Sequence, residues 1–169
     1  MIEFELASKN DVSIIVTIAR KTWPNTFENI MSKEQIEYML DLVYNPTAIT
    51  AQMKSGQNFH LIKHKQIPVG FTAFETNYED KPQLMIHKVY LLPSVQGLGI
   101  GKSTFDHLTR IALANNQSAL TLKVHHKNQK AIGFYEKKGF VIHRTEKTQI
   151  GNHYEILDYV MTKKLREFE

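Results

Sequence analysis

Cysteine is missing from this chain of 169 residues. Its absence excludes disulfides, a cysteine-ligated zinc and a covalent cysteine-acyl intermediate. Long apolar runs are missing as well, since nothing approaches the ~18 residues of a membrane span. The start, Met1-Ile2-Glu3-Phe4-Glu5, lacks the basic and apolar regions of a secretory signal. A soluble cytoplasmic protein without a membrane partner is therefore expected. No basic run with interleaved aromatics occurs either: 21 Lys and Arg stand dispersed among 17 Asp and Glu, for a net charge of +4. That spread argues against a nucleic-acid partner and suits a small polyanionic ligand. Internal repeats, low-complexity segments and linkers are not found. With 42% hydrophobic residues the chain can fill one core, so one domain over residues 1–169 is expected, as monomer or homodimer.

Apolar periodicity lays out the elements. Residues 2–6 read as a strand, and Asn10 or Asp11 caps a helix carrying Val12, Ile15, Val16 and Ala19, interrupted at Pro24-Asn25. Ser32-x-x-Gln35 resembles a capping box opening a helix over 33–43. Asn45-Pro46 begins another that ends near Gly56. Residues 59–63 and 69–76 read as antiparallel strands joined through Lys65-Gln66. Residues 84–92 form the longest strand candidate, followed by a helix over 101–114, a strand over 119–124 and a helix over 128–138. Two last strands, 140–148 and 153–162, turn around Gly151-Asn152. This order and these lengths give a mixed sheet with helices on both faces.

The turn after the longest strand candidate is Gln96-Gly97-Leu98-Gly99-Ile100-Gly101-Lys102. Glycine in a strand-to-helix turn reaches backbone angles other residues avoid and lets a ligand approach the main chain. Outward N–H groups with a helix dipole behind them make an anion site, and phosphate is the natural guest. Two better-known phosphate loops fail here. The triphosphate loop G-x-x-x-x-G-K-[ST] would need glycine where Gln96 stands, and G-x-G-x-x-G leads from Gly97 to Lys102 or from Gly99 to Thr104. What remains is Q-x-x-G-x-G. About thirty residues on come Asn128, Ala131, Phe134, Tyr135, Gly139 and Phe140; Asn128 and Tyr135, seven apart, share one helix face.

These two motifs, in this order and spacing, resemble those of the GNAT family of N-acetyltransferases, the likeness covering residues 57–164 well and the first fifty more loosely. It implies an α/β (α+β) fold built on a central mixed, mostly antiparallel sheet of six to seven strands. It further implies acetyl-CoA as cosubstrate, no metal, and transfer of the acetyl group to a primary amine of a small molecule, polyamine or peptide. Without cysteine, direct attack of the amine on the thioester is the favoured route. By the same resemblance, backbone groups of Tyr90, Leu91 and Leu92 would pair with the pantetheine arm. Gln96, Gly97, Leu98, Gly99, Ile100, Gly101 and Lys102 would hold the pyrophosphate. Asn128 would be both a helix cap and a cofactor partner, and Tyr135 the general acid for the leaving thiolate.

The base is less defined. Many relatives carry glutamate on the strand before the glycine loop, where this chain has His87; Glu75 on the preceding strand is the other candidate. His125 and His126 would point in opposite directions on a continuing strand, so no metal site is expected there. Gly133 stands where an apolar helix former is common, through close packing or as a tolerated imperfection. The segment T-W-x-x-T-F at 22–27 resembles a bacterial branch that includes spermidine and spermine acetyltransferases. Trp23, Phe27 and Tyr38 would line an amine pocket or pack in the core. Glu28, Glu34, Glu37 and Asp41 would attract a polyamine or form a solvated face. Two other readings stand beside the transferase: a coenzyme A-binding sensor without turnover, and a phosphate-loop nucleotide enzyme.

Overall fold

Alternation along the first strands sets which side chains meet which helices. In the computed structural model, which describes residues 1–165, β1 (Ile2–Leu6), β2 (Asn58–His64) and β3 (Ile67–Glu75) pair antiparallel. Lys65 and Gln66 between β2 and β3 have φ of 52° and 67°, the left-handed pair that matches the twist of a two-residue hairpin.

Three helices fill the gap between β1 and β2: α1 (Val12–Phe27), α2 (Lys33–Val43) and α3 (Pro46–Lys54). Ser32 Oγ accepts the Gln35 N–H at 3.1 Å and Asn45 Oδ1 accepts the Ala48 N–H at 2.8 Å, so α2 and α3 start where their caps predict. The break expected at Pro24 does not occur. Pro24 lies in the last turn of α1, where its missing N–H removes a single bond, and the buried Trp23 and Phe27 on either side of it hold that turn to the core.

The chain continues through β4 (Gln83–Leu91), α4 (Ile100–Ala114), β5 (Ala119–His125), α5 (Gln129–Lys137), β6 (Val141–Gly151) and β7 (Tyr154–Lys164). The seven strands run in the order β1-β2-β3-β4-β5-β7-β6. β4 and β5 pair parallel over Gln83–Ile86 and Ala119–Leu122, while β5 with β7 and β6 with β7 are antiparallel. The sheet is thus mixed and mostly antiparallel. At 11 residues each, β6 and β7 exceed the 9 of β4, and their turn falls on Asn152 and His153 (φ 52° and 63°), one residue past the expected position.

Two compact units result: Met1–Glu75 with His87–Leu108, and Thr76–Ile86 with the chain from Thr109 onward. In the first, α1 packs on β3, α2 and α3, and Phe59, Phe71 and Tyr44 form one aromatic layer. The opposite face of the same strands receives α4, whose His107 stacks on Phe4 at 4.0 Å and meets His60 Nδ1 at 3.0 Å. In the second, β5, β7 and β6 carry α5. Among the described residues no helix is long and apolar enough to cross a membrane.

Candidate active site

The glycine turn belongs to the first unit. Val95 and Ile100, 8% and 1% exposed, are anchored in a cluster with Ile62 and Val69, and Gln96 to Gly99 stand exposed between them. Gly97 and Gly99 have φ of +85° and +77°, and a Cβ at either would meet no atom within 4 Å. Both glycines are therefore required by conformation and not by crowding, and the space over them is open. α4 begins at Ile100, so the amides of Ile100, Gly101 and Lys102 are first-turn donors without partners inside the helix. Glycine torsions, open space and a helix amino end fit a pyrophosphate-bearing ligand.

Ahead of the turn, β4 lies against β3 with no room for a side chain at Gly70. A Cβ there would sit 2.4 Å from the Tyr90 carbonyl oxygen and 2.7 Å from Leu91 Cδ2. The Leu92 N–H donates to Val69 O at 2.8 Å, so its donor is used by β3 while its carbonyl can still accept. Tyr90 and Leu91 remain as the strand's candidate main-chain contacts. The Tyr90 ring packs against Trp23, Tyr44 and Phe71 at 6.1, 6.0 and 5.7 Å. Trp23 and Phe27, 5% and 7% exposed and 4.3 Å apart, are core residues, and Tyr38 is half-buried on α2. Burial holds the Tyr44 hydroxyl well above its usual range, with Tyr90 adding to the rise.

One cation lies inside this aromatic group. Lys88, 7% exposed, donates to Gln57 Oε1 at 2.7 Å and lies 5.3 Å from the Phe59 ring centroid and 6.0 Å from that of Tyr44. Burial lowers its pKa to about 8. Beside it on the strand, His87 Nε2 is 3.0 Å from Glu75 Oε1, so the two candidate bases form one hydrogen-bonded pair. On the outer helices, Arg20 engages Asp41 at 2.8 Å and Glu37 at 3.7 Å, which leaves two of the four acidic residues considered for a polyamine already paired.

The second unit carries the other motif, and its spacing has a mechanical explanation. Asn128 Oδ1 accepts the Ala131 N–H at 3.3 Å and caps α5. At the far end Gly139 is left-handed (φ +97°), its N–H bonded to Glu136 O and that of Phe140 to Tyr135 O, both at 3.0 Å. This is a Schellman closure, with the Phe140 ring 5.9 Å from that of Tyr135 as its apolar contact. Tyr135 is half-buried, and its ring also meets that of Phe134 at 5.8 Å. Gly133 has open space where a Cβ would be, so tight protein packing does not account for it.

His125 and His126 do not diverge as the continuing strand predicted. β5 ends at His125 and the chain turns, which stacks the two rings at 4.8 Å and 21°. The Lys127 N–H donates to His125 Nδ1 at 3.1 Å, whereas His126 Nδ1 donates to Leu157 O at 2.9 Å. No group of three or more metal-ligating side chains is present among the described residues.

A profile described as the acetyltransferase (GNAT) family matches residues 14–140. The chain belongs to the GNAT acetyltransferase family. As a GNAT protein it is an enzyme of the N-acyltransferase class. A spermidine N(1)-acetyltransferase of Thermoplasma acidophilum is 24% identical over 168 residues, covering 96% of this chain and 97% of its own. A peptidyl-lysine N-acetyltransferase of Salmonella typhimurium is 33% identical over 94 residues, 55% of this chain and 57% of its own. The crystal structure of the PaiA N-acetyltransferase of Thermoplasma acidophilum with coenzyme A superposes with a TM-score of 0.79 at 24% identity, covering 97% of this chain and 99% of that one.

Within this GNAT frame, three features escaped the sequence. Gly70 looked like any strand glycine, because its close approach to Tyr90 is a tertiary fact. Lys88 read as one of many dispersed basic residues, although its place between Val89 and His87 on an apolar strand was a usable signal. The stacking of His125 on His126 depends on where β5 ends, which the apolar pattern over residues 119–124 did not fix.

Proposed function

We propose that this GNAT protein transfers the acetyl group of acetyl-CoA directly to a primary amine. The observation that carries the reading is the turn at 96–102, where two left-handed glycines open the main chain to a diphosphate at the start of α4. Main-chain groups of Tyr90 and Leu91 are assigned to the pantetheine arm, and Asn128 is a further cofactor contact. Tyr135 is assigned to protonate the departing thiolate, a role its ring contacts with Phe134 and Phe140 support by helping to orient the phenol. The acceptor is a polyamine, another small amine or a peptide amine. Spermidine is taken from the Thermoplasma relative and peptidyl lysine from the Salmonella one. Tyr38 is the half-buried member of the aromatic set assigned to acceptor contact, whereas Trp23 and Phe27 are buried.

The test is calorimetric titration with acetyl-CoA beside ATP, followed by a free-thiol release assay over polyamines, aminoglycosides, amino acids and short peptides. Acetyl-CoA binding with release on one acceptor class supports the proposal. Binding without turnover on any amine would favour the sensor reading, and preferential ATP binding would overturn the assignment of the turn.

A further inference from the structure

We propose that the His60–His107 pair is a pH-sensitive clasp on the glycine turn, closed while at most one of the two imidazoles is charged and opened by acid, which lowers affinity for acetyl-CoA. The inference rests on the reading of that turn as the acetyl-CoA site.

Every part of the device lies in the first unit. His60 Nδ1 and His107 Nε2 stand 3.0 Å apart, so one nitrogen donates and the other accepts. Both residues are half-buried. The pair joins β2 to α4, and the His107 ring lies flat on Phe4 of β1, with centroids 4.0 Å and planes 6° apart. Phe74 of β3 meets His60 edge-on at 5.1 Å. Phe4 in turn packs against the cluster of Ile62, Val69, Val95 and Ile100, whose last two members anchor the two ends of the turn. A shift of His107 is thereby passed through one ring to the residues that hold Gly97 and Gly99 in place.

The chemistry of two imidazoles sets the switch. Two proton counts keep the contact: both rings neutral, or one proton added and the imidazolium donating to its neighbour. A second added proton removes the accepting lone pair and leaves two cations at hydrogen-bond distance. Phe4 does not resist the charge, because an aromatic face attracts a cation. Burial holds the His60 pKa below its ordinary 6.5, so the open, hydrated pair takes up acid more readily than the closed one. Closure is therefore complete above that ordinary value and weakens as pH falls below it.

The charged side chains of the packed elements are few. Glu5 of β1 is bound to Lys63 of β2 at 2.6 Å, Asp106 of α4 to Lys102 at 3.1 Å, and Glu75 of β3 to His87 of β4 at 3.0 Å. Glu3 on β1, His64 on β2 and Arg110 on α4 complete the set. Three of the four carboxylates thus already face other partners. Phe105 and Leu108, 5% and 0% exposed, hold α4 by apolar burial that acid does not touch, so opening loosens the contact with Phe4 and leaves the helix in place.

The experiment is calorimetric titration of the full chain with acetyl-CoA at about pH 7.5 and about pH 5, on either side of ordinary histidine titration. His107→Gln and His60→Gln are the variants, since glutamine can donate or accept in the same place and carries no charge. Wild-type affinity should fall about tenfold more than that of either variant between the two conditions, the effect of one pKa unit of linkage. Ionisation of the cofactor itself acts on all three proteins alike and cancels in that ratio. Imidazole nitrogen-15 spectra of the wild type need no variant. They should show His60 Nδ1 and His107 Nε2 as one donor and one acceptor at the higher pH, and both protonated at the lower. An equal loss of affinity in all three proteins overturns the clasp while the cofactor reading stands. So do spectra in which both nitrogens carry, or both lack, a proton at the higher pH. Absence of acetyl-CoA binding by all three at either pH overturns the cofactor reading and this inference with it.

Discussion

His87 Nε2 sits 3.0 Å from Glu75 Oε1, with the two side chains 18% and 28% exposed. Two groups that the sequence offers as alternative bases are thus one hydrogen-bonded pair. A double-mutant cycle with Glu75→Gln and His87→Gln should show a coupling of about 1 kcal/mol in urea unfolding. Additivity of the two substitutions would mean that the contact does not persist in solution.

Gly70→Ala should destabilise the first unit. The clash is with backbone, 2.4 Å from Tyr90 O, so a rotamer change cannot relieve it. A loss of about 2 kcal/mol is expected, in the range of overpacked cores, accompanied by weaker acetyl-CoA binding as β4 is pushed aside. Wild-type stability and affinity in this variant would contradict the close approach.

Gly97→Ala and Gly99→Ala should behave differently. Space is open at both, so the penalty is the left-handed backbone, about 1 kcal/mol each. Calorimetry should show reduced acetyl-CoA affinity with little change in melting temperature if the turn relaxes in the free protein. Unchanged affinity would remove these amides from the cofactor's grip.

Lys88 predicts a rise of stability with pH. Its pKa falls from an ordinary 10.5 to about 8 in the fold, so between those values the unfolded chain holds more protons than the folded one. Stability then increases through this window, by on the order of 1 to 3 kcal/mol, while below about pH 8 the full cost of the buried charge is present. Lys88→Met should abolish this rise, measured as the difference in unfolding free energy between pH 7.5 and 10. A parallel rise in the variant would assign it to other groups.

Tyr135→Phe should lower kcat about 100-fold with acetyl-CoA affinity nearly unchanged, the pattern of a lost general acid. An unaltered rate would leave Tyr135 with a packing role alone.

Local signals in the sequence were reliable wherever the physics was local. α2 runs from Lys33 to Val43 as its Ser32 cap predicts, and the helix cap at Asn128 and the left-handed Gly139 explain why the second motif has its spacing. Prediction failed where burial overrode local preference. Pro24 did not end α1, because Trp23 and Phe27 pull the last turn into the core, and this same pull makes those two rings structural. His125 and His126 would have diverged on a continuing strand, but β5 stops at His125 and the two rings stack. Partners distant in sequence, such as Glu75 with His87 or Gly70 with Tyr90, leave no periodic trace, so their meeting became visible only in three dimensions.

The left-handed glycines of the turn also determine what variation this enzyme can absorb. In the proposed main-chain grip, the side chains of Leu98, 59% exposed, and of the exposed Gln96 take no part. Natural or laboratory diversity can therefore accumulate at such positions without loss of the donor. Two torsion angles, and not any set of side-chain contacts, are the heritable feature of this cradle, and a library that recodes the surrounding surface while sparing Gly97 and Gly99 should keep it.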